Sequence, residues 1–119
     1  MHSLADSGRA LRFITSGLRE QSRLDSSSIK DFTFTDQIKR AAVSISNNIA
    51  EGSERGTNND FARFLDISKG STGEVRSMYR LAERLGWIES SLVDERCANC
   101  KSISRQLAGF AKYLRANRI

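Results

Sequence analysis

The sequence predicts an all-α protein, an antiparallel up-and-down four-helix bundle that forms one domain over residues 1–119. Three observations favour this class. The chain contains no proline, so no residue forces a break inside a helix. Apolar residues recur at three- and four-residue spacing in four segments. The polar stretches between these segments are short, and short connections make successive helices antiparallel neighbours.

The first predicted helix extends from Leu4 to Leu24. Its apolar residues have near-helical spacing and are Leu4, Leu11, Ile14 and Leu18. Three consecutive serines follow this segment and interrupt the pattern, so we expect the helix to end before them.

The second predicted helix begins near Thr33 or Thr35, whose hydroxyls can accept amide hydrogens of a first turn. It ends around Gly52, since glycine readily takes the left-handed conformation that ends helices. One helix face is narrow and comprises Ile38, Ala41, Ala42, Ile45, Asn48 and Ile49. Its alanines allow a neighbouring helix to approach closely. A polar residue on this face needs hydrogen-bond partners, so we expect Asn48 to fix the packing register.

The third predicted helix starts near Asp60, which has capping-box spacing from Thr57, and stops at Gly86. One continuous stripe faces the core and comprises Phe61, Phe64, Leu65, Ser68, Ser71, Thr72, Val75, Met78, Tyr79, Ala82 and Leu85. Gly70 and Gly73 lie at its centre, and each glycine costs about 1 kcal/mol of helix propensity relative to alanine. This cost predicts that another element, such as the narrow face of the second helix, packs closely against them.

The fourth predicted helix starts near Ser91, which has capping-box spacing from Asp94. Its core residues are Leu92, Val93, Cys100, Ile103, Leu107, Phe110, Ala111 and Leu114. Before it, Trp87 and Ile88 either cover the end of the bundle or form a subunit contact. Burial tendencies favour the end-cap interpretation.

The net charge of +5 is concentrated on two helix faces, which we call the basic ridges. Each ridge spans about 80° of a helical wheel and lies away from the apolar stripe. The ridge of the third helix comprises Lys69, Arg76, Arg80 and Arg84. The ridge of the fourth helix comprises Lys101, Arg105, Lys112 and Arg115. Antiparallel packing could place the two ridges side by side and form a polyanion groove. Alternatively, they are solvated faces that keep the protein soluble.

Catalysis and metal binding find little support in the sequence. The only histidine is His2, and the C-x-x-C of Cys97 and Cys100 lacks the second ligand pair that zinc needs. We therefore predict a non-enzyme with no catalytic residues, no metal site and no cofactor, in which both cysteines are reduced core or boundary residues. No apolar run approaches the ~18 residues of a membrane span, and the first residues lack a secretory signal. We expect a cytoplasmic protein with no membrane partner.

A family resemblance rests on QIKRAAVSISNNIAEG at residues 37–52 and on matching residues further along the chain. These are Phe61, Arg63, Phe64, Leu65, Gly70, Ser71, Glu74, Leu85 and Gly86. From Gln37 to Ile88 the chain resembles the four-helix-bundle family of ribosomal-RNA intervening-sequence proteins, which is related to the accessory variability proteins of diversity-generating retroelements. The resemblance implies nucleic-acid binding, association with a reverse transcriptase, and a homopentameric ring around a central channel.

Charge pattern and resemblance together favour a non-catalytic, basic, oligomeric bundle that binds RNA or DNA through phosphate contacts. Such a protein could be an accessory to a reverse transcriptase or another nucleic-acid enzyme. The eight residues of the basic ridges are the candidate nucleic-acid-binding residues. The alternative is an oligomeric protein-binding scaffold with no nucleic-acid role, which recognises an acidic protein partner.

Overall fold

A computed structural model describes residues 32–117, which form three α-helices. α1 covers Phe32–Ser53, α2 covers Asn58–Arg84 and α3 covers Ser90–Ala116. They correspond to the second, third and fourth predicted helices, and every regular element within 32–117 is helical, which confirms the all-α class. α2 packs against both α1 and α3. The first predicted helix, Leu4 to Leu24, lies outside the described residues.

The core consists largely of the predicted apolar faces. Among its members are Ile38, Ala41, Ala42, Ile45 and Ile49 of α1, Leu65, Val75, Tyr79 and Ala82 of α2, and Val93, Cys100, Ile103, Leu107 and Leu114 of α3. Leu85 departs from the prediction because it is 49% exposed. It follows the last residue of α2 at the edge of the apolar stripe, where the chain turns away from the core.

Small polar side chains join α1 to α2. The buried Ser68 hydroxyl donates a hydrogen bond to the Ile45 carbonyl oxygen at 2.9 Å, and the Ser44 and Ser71 hydroxyls lie 3.0 Å apart. Asn48, which we expected to fix the register, donates to the carbonyl and the hydroxyl oxygen of Ser44 in its own helix. Among the described residues, side-chain hydrogen bonds between α1 and α2 are therefore made by serines. The register role that we expected of Asn48 is not seen, because its amide bonds to Ser44 of its own helix.

Close approach of the two helices occurs at Gly52 rather than at the glycines of α2. Gly52 is a buried residue of α1, and a Cβ atom there would lie 2.8 Å from Phe61 Cδ1 and from Phe64 Cβ. It has no positive φ, so the predicted left-handed cap at Gly52 is wrong. A Cβ at Gly70 or Gly73 would meet no atom of the described residues within 4 Å. The expectation that the narrow face of α1 packs closely against these two glycines is therefore wrong.

α2 ends at a Schellman motif, as the glycine at position 86 predicts. Gly86 has a φ of +74°, and its amide donates to the Glu83 carbonyl at 3.0 Å. The amide of Trp87 donates to the Ala82 carbonyl, also at 3.0 Å. These two bonds satisfy carbonyls that the end of the helix leaves without partners.

The turn after α2 covers one end of the bundle. Trp87 contacts Phe34 edge-on with ring centroids 5.1 Å apart, and Ile88 is buried in the core. These contacts agree with the end-cap interpretation and tie the α2–α3 turn to the start of α1.

The two predicted capping boxes have different outcomes. The Thr57 hydroxyl accepts a hydrogen bond from the Asp60 amide at 3.1 Å, which confirms the N-cap of α2. α3 instead begins after Glu89, an N-cap residue without a side-chain cap, so the predicted role of Ser91 is wrong. Because the helix already begins at Ser90, Ser91 lies inside the first turn, and the side chain of Asp94 forms an ion pair with α2 instead.

We expect Gly52→Ala to lower the free energy of unfolding by about 1–3 kcal/mol, because the new methyl group would overlap Phe64 Cβ, which moves only with the α2 backbone. The matched control is Gly70→Ala, where a methyl group has space and alanine favours the helix. That variant should gain about 0.5–1 kcal/mol. Urea denaturation followed by circular dichroism measures both changes, and equal effects would contradict a close approach specific to Gly52.

Candidate nucleic-acid interface

The predicted antiparallel packing of α2 and α3 is evident at one end from the contacts of their first and last residues. The Phe61 and Phe110 rings pack edge-on with centroids 5.2 Å apart. The Asn58 side-chain amide donates to the Asn117 carbonyl. The start of α2 therefore lies beside the end of α3.

At the other end, the second half of α2 lies beside the first half of α3. Arg80 Nη1 donates to Asp94 Oδ1 at 2.9 Å, and the Cys97 thiol lies 3.9 Å from the Arg76 carbonyl oxygen. This register brings basic residues of the two helices to the same surface.

An open groove of about 460 Å³ lies between the two helices at this end. Its lining comprises Arg76, Ser77, Arg80, Leu81, Arg84, Cys97 and Lys101. Three of the four predicted residues on α2 and one of the four on α3 contribute to it. We call this feature the basic groove, and it is the place where the two predicted basic ridges meet.

Arg80 is held in position within the basic groove. Its guanidinium donates to Asp94 Oδ1 of α3 at 2.9 Å and to Glu83 Oε1 of α2 at 3.2 Å. Hydrogen bonds to Asp94 and then to Glu83 raise the pKa of Arg80 above its ordinary value. Both bonds leave from Nη1, and the one to Asp94 connects α2 to α3. The two carboxylates offset the charge of Arg80, while its Nε and Nη2 donors remain for a ligand.

Arg76, Arg84 and Lys101 are the remaining cations of the groove. All three are exposed, and none of them has an ion-pair partner among residues 32–117. A guanidinium presents a planar fork of N–H donors that matches phosphate, and the lysine ammonium adds a compact charge. These three side chains are therefore the ones best placed to bind an anion.

The other four predicted residues do not line the basic groove. Arg115 forms an ion pair with Asp66 of α2, and this hydrogen bond raises the pKa of the Arg115 guanidinium. Lys69, Arg105 and Lys112 are exposed, but they lie outside the groove lining. A helical wheel places these residues in one ridge per helix because it shows only their direction around the helix axis. It does not show their position along the axis, and the basic groove occupies only one end of the helix pair.

Cys97 forms part of the neutral floor of the groove. Cys97 and Cys100 are both free thiols and both buried, as a pair of reduced core residues should be. Burial raises the pKa of Cys97, although the nearby Arg80 and Arg76 act in the opposite direction. The Cys97 side chain is consequently a neutral thiol near neutral pH, and it leaves the cationic charge of the groove undiminished.

Leu81 and Ser77 belong to the groove but were not among the predicted site residues. Leu81 is 48% exposed and lies off the apolar stripe that predicts the core. The sequence contains a signal for this residue, because a leucine on the polar face of an amphipathic helix has no core contact there. Such an exposed apolar residue can indicate a binding surface.

Two further classes of site receive no support from the described residues. Within 32–117 there is no group of three or more side chains of the histidine, cysteine or acidic types that could hold a metal ion. Over the same range, no helix combines the length and the apolar character that crossing a bilayer requires.

Comparison with protein families gives one finding that bears on this surface. The family model described as 23S rRNA-intervening sequence protein matches residues 10–109, which include the whole basic groove. Comparison with curated proteins gives no match.

We expect Cys97 to react more slowly with iodoacetamide in the folded protein than in urea, because its raised pKa lowers the thiolate fraction at about pH 8. The rate should increase as the pH rises towards the raised pKa. Mass spectrometry of timed samples measures the modification, and a Cys97→Ser variant identifies the signal. Equal rates in the folded and unfolded chains would contradict the buried, neutral thiol.

Proposed function

This chain belongs to the 23S rRNA-intervening sequence protein family, and we propose that it binds RNA or DNA through phosphate contacts in the basic groove. The observation that carries the proposal is the convergence of four cationic side chains from two helices on one open groove. We propose a binding role without catalysis.

Charge supports the proposal most directly. Arg76, Arg84 and Lys101 have no ion-pair partners among residues 32–117, so no carboxylate of this part of the chain offsets their charges directly. Neutralising phosphates with such side chains releases condensed counterions, which is the main source of affinity in sequence-independent binding. Arg80 adds a fourth charge, partly offset by the two carboxylates that hold it.

The spacing of the arginines suits an extended polyanion. Arg76 and Arg84 are eight residues apart on one helix, which corresponds to about 12 Å along its axis. A stacked nucleic-acid strand advances about 3.4 Å per nucleotide, so about three or four nucleotides span this distance. A chain of phosphates can thus contact both arginines at once.

The groove offers little for sequence recognition. Its lining contains no asparagine, glutamine or carboxylate, the side chains that most often read base edges apart from arginine and lysine. Contacts to phosphate position a protein on nucleic acid but carry no sequence information. We therefore propose binding with weak sequence preference.

The remaining parts of the proposal come from the resemblance to retroelement accessory proteins. We propose a cytoplasmic homopentamer that presents nucleic acid to a reverse transcriptase or another nucleic-acid enzyme. A ring would repeat the basic groove in every subunit, and several weak contacts along one strand would then combine into tighter binding. Light scattering after gel filtration tests the assembly, for which we expect five times the mass of the chain.

The test of the groove is a variant that carries Arg76→Glu, Arg84→Glu and Lys101→Glu. We expect roughly a tenfold or greater loss of affinity for labelled RNA at low salt, because three phosphate contacts become repulsive. The slope of log affinity against log salt should fall by about 2, since each contact to a single strand contributes about 0.7. Fluorescence anisotropy across a salt series measures both quantities.

The matched control carries Lys69→Glu, Arg105→Glu and Lys112→Glu, which changes the net charge equally but outside the groove lining. We expect the control to keep most of the affinity and of the salt slope. Equal losses in the two variants would contradict a local site and indicate only a response to net charge. If neither variant changed RNA binding but the groove variant lost an acidic protein partner, the protein-binding scaffold would be the better account.

A further inference from the structure

We infer that the basic groove takes single-stranded rather than duplex nucleic acid, an inference that rests on the proposed function of this groove. Charge alone does not distinguish single strands from duplexes, because both carry phosphates. The size of the groove and the uncharged part of its lining favour the single strand.

Size argues against entry of a duplex. The groove has a volume of about 460 Å³, within the range of about 300–1,000 Å³ that encloses one small ligand. A DNA duplex is wider than its own major groove, which is about 12 Å across. The duplex is therefore too wide to enter the basic groove and can only lie across its edges. A single strand can place individual nucleotides inside it.

Leu81 gives the second argument. Its side chain is 48% exposed and lies in the same groove as Arg76 and Arg84. A duplex hides the faces of its bases and presents phosphates and sugars to a surface of this kind, so Leu81 would remain solvated or face charge. An unpaired base presents an apolar face that can cover the leucine.

The polar side chains around Leu81 suit an unpaired nucleotide. The guanidinium planes of Arg76 and Arg84 can stack on bases as well as bind phosphates. The Ser77 hydroxyl is both a donor and an acceptor, as a ribose hydroxyl requires. Arg80, held by its two carboxylates, keeps the wall of the groove in place.

The test compares a labelled single-stranded RNA with a duplex of the same sequence and length by fluorescence anisotropy at low salt. The variant is Leu81→Gln, which removes the apolar contact without changing the charge. The matched control is Ile67→Gln, since Ile67 is on the same helix, is 43% exposed and lies outside the groove lining. Circular dichroism verifies that both variants are folded.

We expect the unmodified protein to bind the single strand more tightly than the duplex. Leu81→Gln should weaken single-strand binding about fivefold, the change expected for losing a half-buried leucine contact, and leave duplex binding within about twofold. Ile67→Gln should change neither.

Two results would overturn the inference while leaving phosphate binding intact. One is a duplex affinity equal to or higher than that of the single strand, and the other is an equal effect of Leu81→Gln on both ligands. Absence of binding to either ligand at low salt would overturn the proposed function together with the inference.

Discussion

α2 is packed on two sides at once, and this constraint determines which of its side chains remain available to a ligand. One side contacts α1, where the Ser68 hydroxyl donates a hydrogen bond to the Ile45 carbonyl. At the end of α1, Gly52 has no side chain, so Phe61 and Phe64 of α2 can pack directly against its backbone. Another side contacts α3 through aromatic and aliphatic residues. The arginines project from the remaining stripe, and antiparallel α3 adds Lys101 to the same surface.

The arginines and lysines of the two ridges divide between structural and binding roles according to their partners. Arg80 and Arg115 join α2 to α3 through Asp94 and Asp66. Exposed pairs of this kind contribute little to stability, so their main effect here is that two of the eight cations are already paired with carboxylates. Arg76, Arg84 and Lys101 of the groove retain their charge for a ligand, and the neutral floor beneath them does not oppose it.

The sequence predicts much of the fold because helix periodicity and local end signals are encoded within a few residues. The buried faces of α1, α2 and α3, the Thr57 cap and the Gly86 stop follow from such local patterns. A close approach depends on how two helices pack, which a local pattern does not contain. The sequence therefore predicts a cap at Gly52, where the structure has a helix contact with α2. For the site, the ridges were predictable from the wheel, but the pairing of Arg80 with Asp94 depends on an interhelical register that periodicity does not contain.

Binding of nucleic acid in one groove between α2 and α3 is the central claim, and NMR titration of the labelled protein with a single-stranded RNA tests it most directly. The account predicts that the largest amide shift changes lie at residues 76–85 and 97–101. The opposite end of the same helix pair, residues 58–66 and 110–117, serves as the internal reference and should change little. The largest changes at that end or on α1, or changes spread evenly over all three helices, would contradict the account.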